Sequence, residues 1–353
     1  MTTPNPSEQL ASDLSALQSR IDSLQKGVRL TNTRDAVEDL QTTVNNLSQR
    51  VTGLRTRGYV FGKDMESRSV GFVSQWGSIN PSITAAINQQ AANLELALRP
   101  LEAQVTQLTA QINSPATRSL AEKLQNDVST LENNVSAAEQ EIGGMYDAFS
   151  DEVHALTAQI EKADWTLKQL AEASFQLIAT EAGVMAVKAV WVKAGKEQKG
   201  DPEGVLYLTD QRLIFEQKEE VATKKVLFIA TEKEKVQKLE LETPVVLIES
   251  VTTSKQGLMK NEDHIELRFA SGAPVITAHF HIWQPCEEWQ ALINRAKSRD
   301  FDNDRAVAVD AAAIAKTKAA PSQCPSCGGI INQVILRGQD SIKCEFCGFV
   351  IRL

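Results

Sequence analysis

Gly204-Val-Leu-Tyr-Leu-Thr-Asp-Gln-Arg-Leu-Ile-Phe215 is the reference point for this 353-residue chain. Val205, Leu206, Tyr207 and Leu208 form a β-rich run, Thr209-Asp210-Gln211 supplies a turn, and Leu213, Ile214 and Phe215 form a second run. A β-hairpin is expected. The residues before it carry helical periodicity; those after it read as more strands, one helix, a linker and a cysteine module.

Upstream of the hairpin, after Gly183, Val184, Ala186, Lys188, Val190 and Val192 share one parity and Met185, Val187, Ala189 and Trp191 the other. Such a strand is expected to be buried on both faces or packed by a helix. Runs at 226–230, 236–241, 245–251, 264–269 and 274–282 bring the expected sheet to about seven strands. Residues 285–297 then read as a helix with Trp289, Leu292 and Ile293 on one face. Short strands closed by one amphipathic helix predict a bent sheet or barrel whose open end the helix plugs.

The quoted stretch resembles the signature of GRAM and bacterial PH-like domains, in which a hairpin of the form G-x-L-x-L-T-[N/D]-x-R-L-x-F is typical. For residues 181–299 the resemblance implies a PH-like β-barrel with a C-terminal helix. It also implies binding of phospholipid headgroups or protein partners, with no enzymatic activity of the module's own. Fold alone does not settle which. Lys193, Lys196 and Lys199, before Gly204, are the candidate contacts to an anionic membrane surface. Lys224, Lys225, Lys233, Lys235 and Lys238 alternate with Glu232, Glu234 and Glu240 and read as a solvated polar face. Arg212 is expected to pair with a carboxylate or to lay its stem across the hairpin. His279, His281 and Cys286 could form a second metal site, against the plainer expectation of a strand end with a small buried thiol.

Residues 8–180 are expected to be a helical coiled-coil or bundle region. Leu10, Leu14, Leu17, Ile21, Leu24 and Val28 make a first a/d seam, and Val37, Leu40, Val44, Leu47, Val51 and Leu54 a second. Leu101, Val105, Leu108 and Ile112 continue the pattern, followed by Leu120, Leu124, Val128, Leu131, Val135, Ala138, Ile142, Met145 and Phe149. Breaks are expected near 31–33, 58–62 and 113–115, and residues 117–180 read as one long helix with a stutter after Phe149. Two packings satisfy the seams: an intramolecular antiparallel bundle, or pairing between chains. Exposed seams of this length favour a homo-oligomer. Phe72, Val73 and Trp76 either pack inside such a bundle or dip into a membrane interface; the missing basic face favours the bundle.

Residues 300–322 are Ala-rich and read as a tether that frees the last module to move. In residues 323–353, Cys324-Pro-Ser-Cys327 and Cys344-Glu-Phe-Cys347 form two C-x-x-C pairs separated by sixteen residues. That spacing resembles a zinc ribbon, with Zn2+ held by Cys324, Cys327, Cys344 and Cys347 in a structural role. Four thiolates leave no open position for catalysis. The net charge of -8 argues against bulk nucleic-acid binding, and the ribbon's basic residues are only Arg337, Lys343 and Arg352. There is no P-loop, dinucleotide fingerprint or nucleophile elbow. No signal peptide or membrane span is expected. The expectation is a multidomain α+β chain, cytoplasmic and at most peripheral to a membrane, acting as a non-enzymatic scaffold or adaptor. The alternatives are a purely protein-binding assembly factor and, less favoured, a nucleic-acid-associated ribbon protein.

Overall fold

The computed structural model describes residues 6–112, 114, 116–226 and 229–353. Asn113 and Pro115, on which the expected break at 113–115 falls, lie outside the described residues, as do Leu227 and Phe228 of the expected 226–230 run. The chain divides into two compact units, Met1–Gln49 with Glu66–Thr157 and Arg50–Met65 with Ala158–Leu353.

The helical elements are α1 (Pro6–Gly27), α2 (Thr31–Thr56), α3 (Met65–Ala110), α4 (Thr117–Gly144) and α5 (Asp147–Ala171). In the first unit, three legs run up, down and up. Arg29 pairs with Glu95, the Arg34 guanidinium donates to Asn88, and Ser48 donates to Ser69, so α1 and α2 descend as α3 climbs. Gln90 donates to Glu141, and Trp76 stacks on Phe149, which sets α3 antiparallel to α4 and α5 as well. Arg20 closes the triangle by binding Glu132 of α4.

The expected seams meet inside this bundle. Leu10, Leu14, Leu17, Ile21, Leu24 and Val28 are buried within the one chain, as are Val37, Leu40, Val44 and Leu47. Each such side chain contributes roughly 1.5–3 kcal/mol when removed from water, so the stripes satisfy one another in cis. Of the two packings, the structure shows the intramolecular one for these stripes. Phe72 and Trp76 are buried against Phe149, whereas Val73 is exposed. The long expected helix over 117–180 is interrupted, because α4 ends at Gly143-Gly144 and Met145-Tyr146 make a turn before α5. Paired glycines are poor helix formers. Leu120 and Met145 are exposed, and Thr117 and Ala121 extend the buried stripe instead. No helix among the described residues is long and apolar enough to cross a membrane.

In the second unit a seven-stranded antiparallel sheet has the order β4-β3-β2-β1-β7-β6-β5. Its strands are β1 (Gly183–Trp191), β2 (Glu203–Thr209), β3 (Arg212–Val226), β4 (Ile229–Pro244), β5 (Ile248–Gln256), β6 (Glu262–Phe269) and β7 (Thr277–Ile282). The two edge strands, β4 and β5, are joined only by the turn Val245–Leu247. That connector spans at most about 14 Å at ~3.5 Å per residue, so the sheet is rolled on itself. Helix α6 (Cys286–Lys297) buries Cys286, Trp289, Ile293 and Ala296 and packs against β5 and β6, as expected for a plug. Both faces of β1 are buried apart from Lys188, because Trp165 and Leu170 of α5, with Ala173 and Phe175 beyond it, cover the outer face of β1–β3. The 226–230 run is not a separate strand. β3 and β4 pair as one long ribbon out to Val226 and Ile229.

The remaining elements are α7 (Phe301–Asp304), α8 (Ala311–Ala319), β8 (Ser341–Lys343) and β9 (Val350–Arg352). The segment expected to be a tether is fastened at both ends. The Ala306 amide donates to Val60 at 2.7 Å, the Lys63 amide to Asp304 at 3.2 Å, and Phe301 lies 5.3 Å from Phe61. The Ala179 amide donates to Ile335 at 3.1 Å and the Arg337 amide to Leu177 at 2.9 Å, which pins the ribbon beside the sheet. Composition hides these partners because they are backbone groups far away in the chain.

Because the seams are consumed within one chain, light scattering of the full-length protein at micromolar concentration is expected to give the mass of a single chain. A stable dimer would show that another surface mediates association.

Candidate metal centre

Cys324 and Cys344 begin two knuckles with the same hydrogen-bond pattern. The Cys324 amide donates to the Gly329 carbonyl at 2.8 Å and the Gly328 amide to Cys324 at 2.9 Å; in the second knuckle, Cys344 donates to Phe349 and Gly348 to Cys344, both at 2.9 Å. Gly328 and Gly348 carry φ of 72° and 75°, left-handed values that bring the chain round each loop at little cost. The β8–β9 hairpin flanks the second knuckle, and the Gln323↔Ile330 bridge flanks the first.

The four sulfurs all lie within 4.8 Å of one another. Cys324 and Cys347 Sγ are 3.7 Å apart, as are Cys327 and Cys344 Sγ. Sulfurs around a tetrahedral zinc at ~2.3 Å stand about 3.8 Å apart, whereas a disulfide would draw them to ~2.05 Å. The donor set and spacing therefore fit zinc. Electrostatics points the same way. The Cys347 amide, followed by that of Phe346, lowers the Cys344 thiol to about 7. The Gly329 amide pulls Cys327 down, yet neighbouring Cys347 and Cys344 leave it raised to about 12. Without a cation, thiolates this close cannot all ionise together.

The signature hairpin has a structural role. A Cβ on Gly204 would stand 2.0 Å from the Glu216 carbonyl oxygen, so only glycine fits. Leu206, Leu208, Leu213 and Phe215 are fully buried. Thr209 Oγ1 accepts from the Gln211 and Arg212 amides at 3.1 and 2.7 Å and donates to Glu181. Arg212 binds Glu181 through both Nε and Nη2 and reaches Glu242 and the Gln176 carbonyl, which matches the expected carboxylate pairing. Arg337 of the ribbon donates to the Glu181 carbonyl.

Lys193, Lys196 and Lys199 share one exposed loop between β1 and β2. Lys193 Nζ lies 3.0 Å from the centroid of the Trp191 ring, and partial burial lowers its pKa. Asp201 accepts from the Lys193 and Gln198 amides, and Glu197 binds His281, so acidic residues are interleaved with the lysines.

The second metal set considered above does not assemble. Cys286 lies beside Asp263 and Glu287 rather than beside the histidines. Its amide donates to Asp263 at 2.8 Å, and burial, then Asp263, raises its thiol to about 11, as befits an inert buried cysteine. His279 and His281 instead join His264, which sequence reasoning missed. Its register partner across β6–β7, His281, is visible only once the strands are aligned. His264 Nδ1 is 3.0 Å from His279 Nε2, and its ring stacks on His281, which stacks on Trp283. His264 Nε2 is buried without a hydrogen bond among the described residues.

No family model and no curated protein matches this chain. Among solved structures it is similar to the Vps36 N-terminal PH domain, at 12% identity and TM-score 0.23 over 34% of this chain and 81% of that one. It is also similar to the DH/PH domains of p115-RhoGEF, at 12% identity and TM-score 0.22 over 84% of this chain and 95% of that one. The DH/PH domains of PDZ-RhoGEF, in a complex with activated RhoA, give 9% identity and TM-score 0.24 over 82% and 95%. These scores are low, and the fold assignment stands on the chain's own strand order.

Burial, followed by the charge of His281, lowers the His264 pKa, and burial also lowers that of His279. The facing carboxylates, Glu197, Glu262 and Glu266, only partly offset this. Below the ordinary histidine pKa of ~6.5 the unfolded chain takes up protons that these folded rings resist, so stability falls as pH drops through that value. Thermal melts from about pH 7.5 to about pH 5.5 are expected to show this fall, with a shallower slope for His264→Phe; an equal slope in the variant would contradict it.

Proposed function

We propose that this protein is a non-enzymatic adaptor that acts by binding. The PH-like module and the ribbon form its binding body, with Zn2+ held by Cys324, Cys327, Cys344 and Cys347. Bound there, zinc would supply the fold of a module with too small an apolar core of its own, and four thiolates would close its coordination. Thiols kept for metal suit a reducing compartment such as the cytoplasm.

The observation that carries this reading is the ribbon's surface. Phe346 is 72% exposed, and Ile330, Val334, Phe349 and Val350 are exposed with it. Five exposed apolar side chains on so short a module favour a protein contact. Nucleic acid is a poorer partner, because Arg337, one of the ribbon's few basic residues, is committed to Glu181. A peripheral membrane contact through Lys193, Lys196 and Lys199 is the second reading, favoured by their shared exposed loop and weakened by its interleaved acids.

Affinity capture with the full chain and a Phe346→Ser, Val350→Ser variant tests the first reading, with native mass spectrometry as the control for zinc. One zinc per chain is expected in both, with the captured proteins depleted about tenfold or more by the variant. Unchanged capture, or absence of zinc from the native chain, would overturn it. Flotation with anionic vesicles decides the second: binding abolished by glutamate at 193, 196 and 199 would favour the membrane.

A further inference from the structure

Three of the chain's four histidines meet on one face of the β6–β7 pair. His279 and His281 alternate along β7, so their side chains leave the same face, and His264 stands directly opposite His281 in the register. Glu266 stands opposite His279 in the same way. His264 Nδ1 lies 3.0 Å from His279 Nε2, and the His264 ring centroid is 5.0 Å from that of His279 and 4.7 Å from that of His281. Imidazole nitrogens around a tetrahedral ion at ~2.0–2.1 Å stand about 3.3 Å apart, which sets the ring centroids about 5 Å apart. The three rings are therefore already spaced for one ion, and the His264–His279 pair has to open only slightly.

Carboxylates surround the rings. Glu197 Oε2 lies 2.6 Å from His281 Nδ1, which leaves Nε2 as the donor atom of that ring. Glu262 Oε2 lies 3.8 Å from His264 Nε2. When His264 Nδ1 holds an ion, the ring hydrogen sits on Nε2, beside this carboxylate. Carboxylates placed behind imidazoles orient metal-ligating histidines and raise their basicity. The approach is open on the His279 side, where His279 and Glu266 line a groove of about 550 Å3 together with Trp191, Lys193 and Thr277. Lys193, the basic group of that wall, is drawn onto the Trp191 ring at 3.0 Å.

We propose that His264 Nδ1, His279 Nε2 and His281 Nε2 form a second metal site for a divalent ion of the zinc class, its fourth position open to the groove beside Glu266. Imidazole donors favour zinc, copper or nickel over calcium and magnesium. The His281 ring stacks between His264 and Trp283 rather than pointing at the other two nitrogens. Closing the site takes a rotation of that one side chain, with Glu197 following on its exposed loop. An ion gathered in this way is exchangeable, in contrast to one enclosed by four thiolates. It would clamp β6 to β7 and, through Glu197, steady the loop that carries Lys193, Lys196 and Lys199.

The test is a titration of the full-length chain with Zn2+ at about pH 7.5, where free imidazoles are neutral, read by native mass spectrometry. Beyond the ion of the cysteine cluster, one further ion per chain is expected to bind saturably at micromolar concentration. His279→Gln keeps a hydrogen-bonding amide beside His264 and is expected to weaken this second ion about tenfold or more, as is His264→Phe. His154→Gln alters the one histidine outside the cluster, exposed on α5, and is expected to leave binding unchanged. In the native chain the ring 15N resonances of His264, His279 and His281 should shift together as the second ion enters. No second ion at about 100 µM Zn2+, equal binding by His279→Gln, loss in His154→Gln, or a second ion that leaves the three resonances in place would each overturn the proposal. Melting curves check that each variant is folded, and the 15N shifts of the native chain decide the matter if a variant is not.

Discussion

The buried ion pair between Arg212 and Glu181 is the joint on which the second unit depends. Glu181 is fully buried, and its carboxylate accepts from Arg212 Nε and Nη2, from the Thr209 hydroxyl and from the Ile178 amide. Its carbonyl receives Arg337. One residue thus links the signature turn, the chain entering β1 and the ribbon. A buried ion pair gains little over an apolar isostere, but removing one partner strands the other charge at a cost of roughly 3–5 kcal/mol. The arrangement couples these three segments through one side chain and its carbonyl.

A second constraint shapes the helices. An a/d stripe is too narrow to bury itself, and three legs joined by short turns provide partners within the same chain. The turns at Val28–Leu30 and Met145–Tyr146 divide the outer legs, while α3 runs unbroken through Pro81 and Pro100. Packing against both neighbours overrides the local weakness of its glycines and prolines.

Period-based features were largely legible in the sequence. The seams, the two-faced burial of β1, the closing helix with Trp289 and the cysteine spacing all follow from residue patterns that local geometry imposes. Features made by distant backbone groups were not. Ala306 meets Val60 and Ala179 meets Ile335 through main-chain hydrogen bonds that leave no mark on composition, so residues 300–322 read as a tether. His264 escaped notice because its partners come from strand register. The paired glycines at 143–144 were a signal for the break before α5, but the continuing apolar stripe masked them. Arg305 reads as an ordinary basic residue in an alanine-rich stretch, yet it is buried between Asp210 and the Phe61 ring, contacts that no local pattern encodes.

Hydrogen–deuterium exchange on Arg212→Met beside the native chain tests most directly whether the Glu181–Arg212 joint holds the ribbon. The account predicts faster exchange at the Ala179 and Arg337 amides, and in the 209–212 turn, while α1 and α4 keep their protection. Native-like protection at Ala179 and Arg337 in the variant would contradict it and assign the docking to the strand pairing alone.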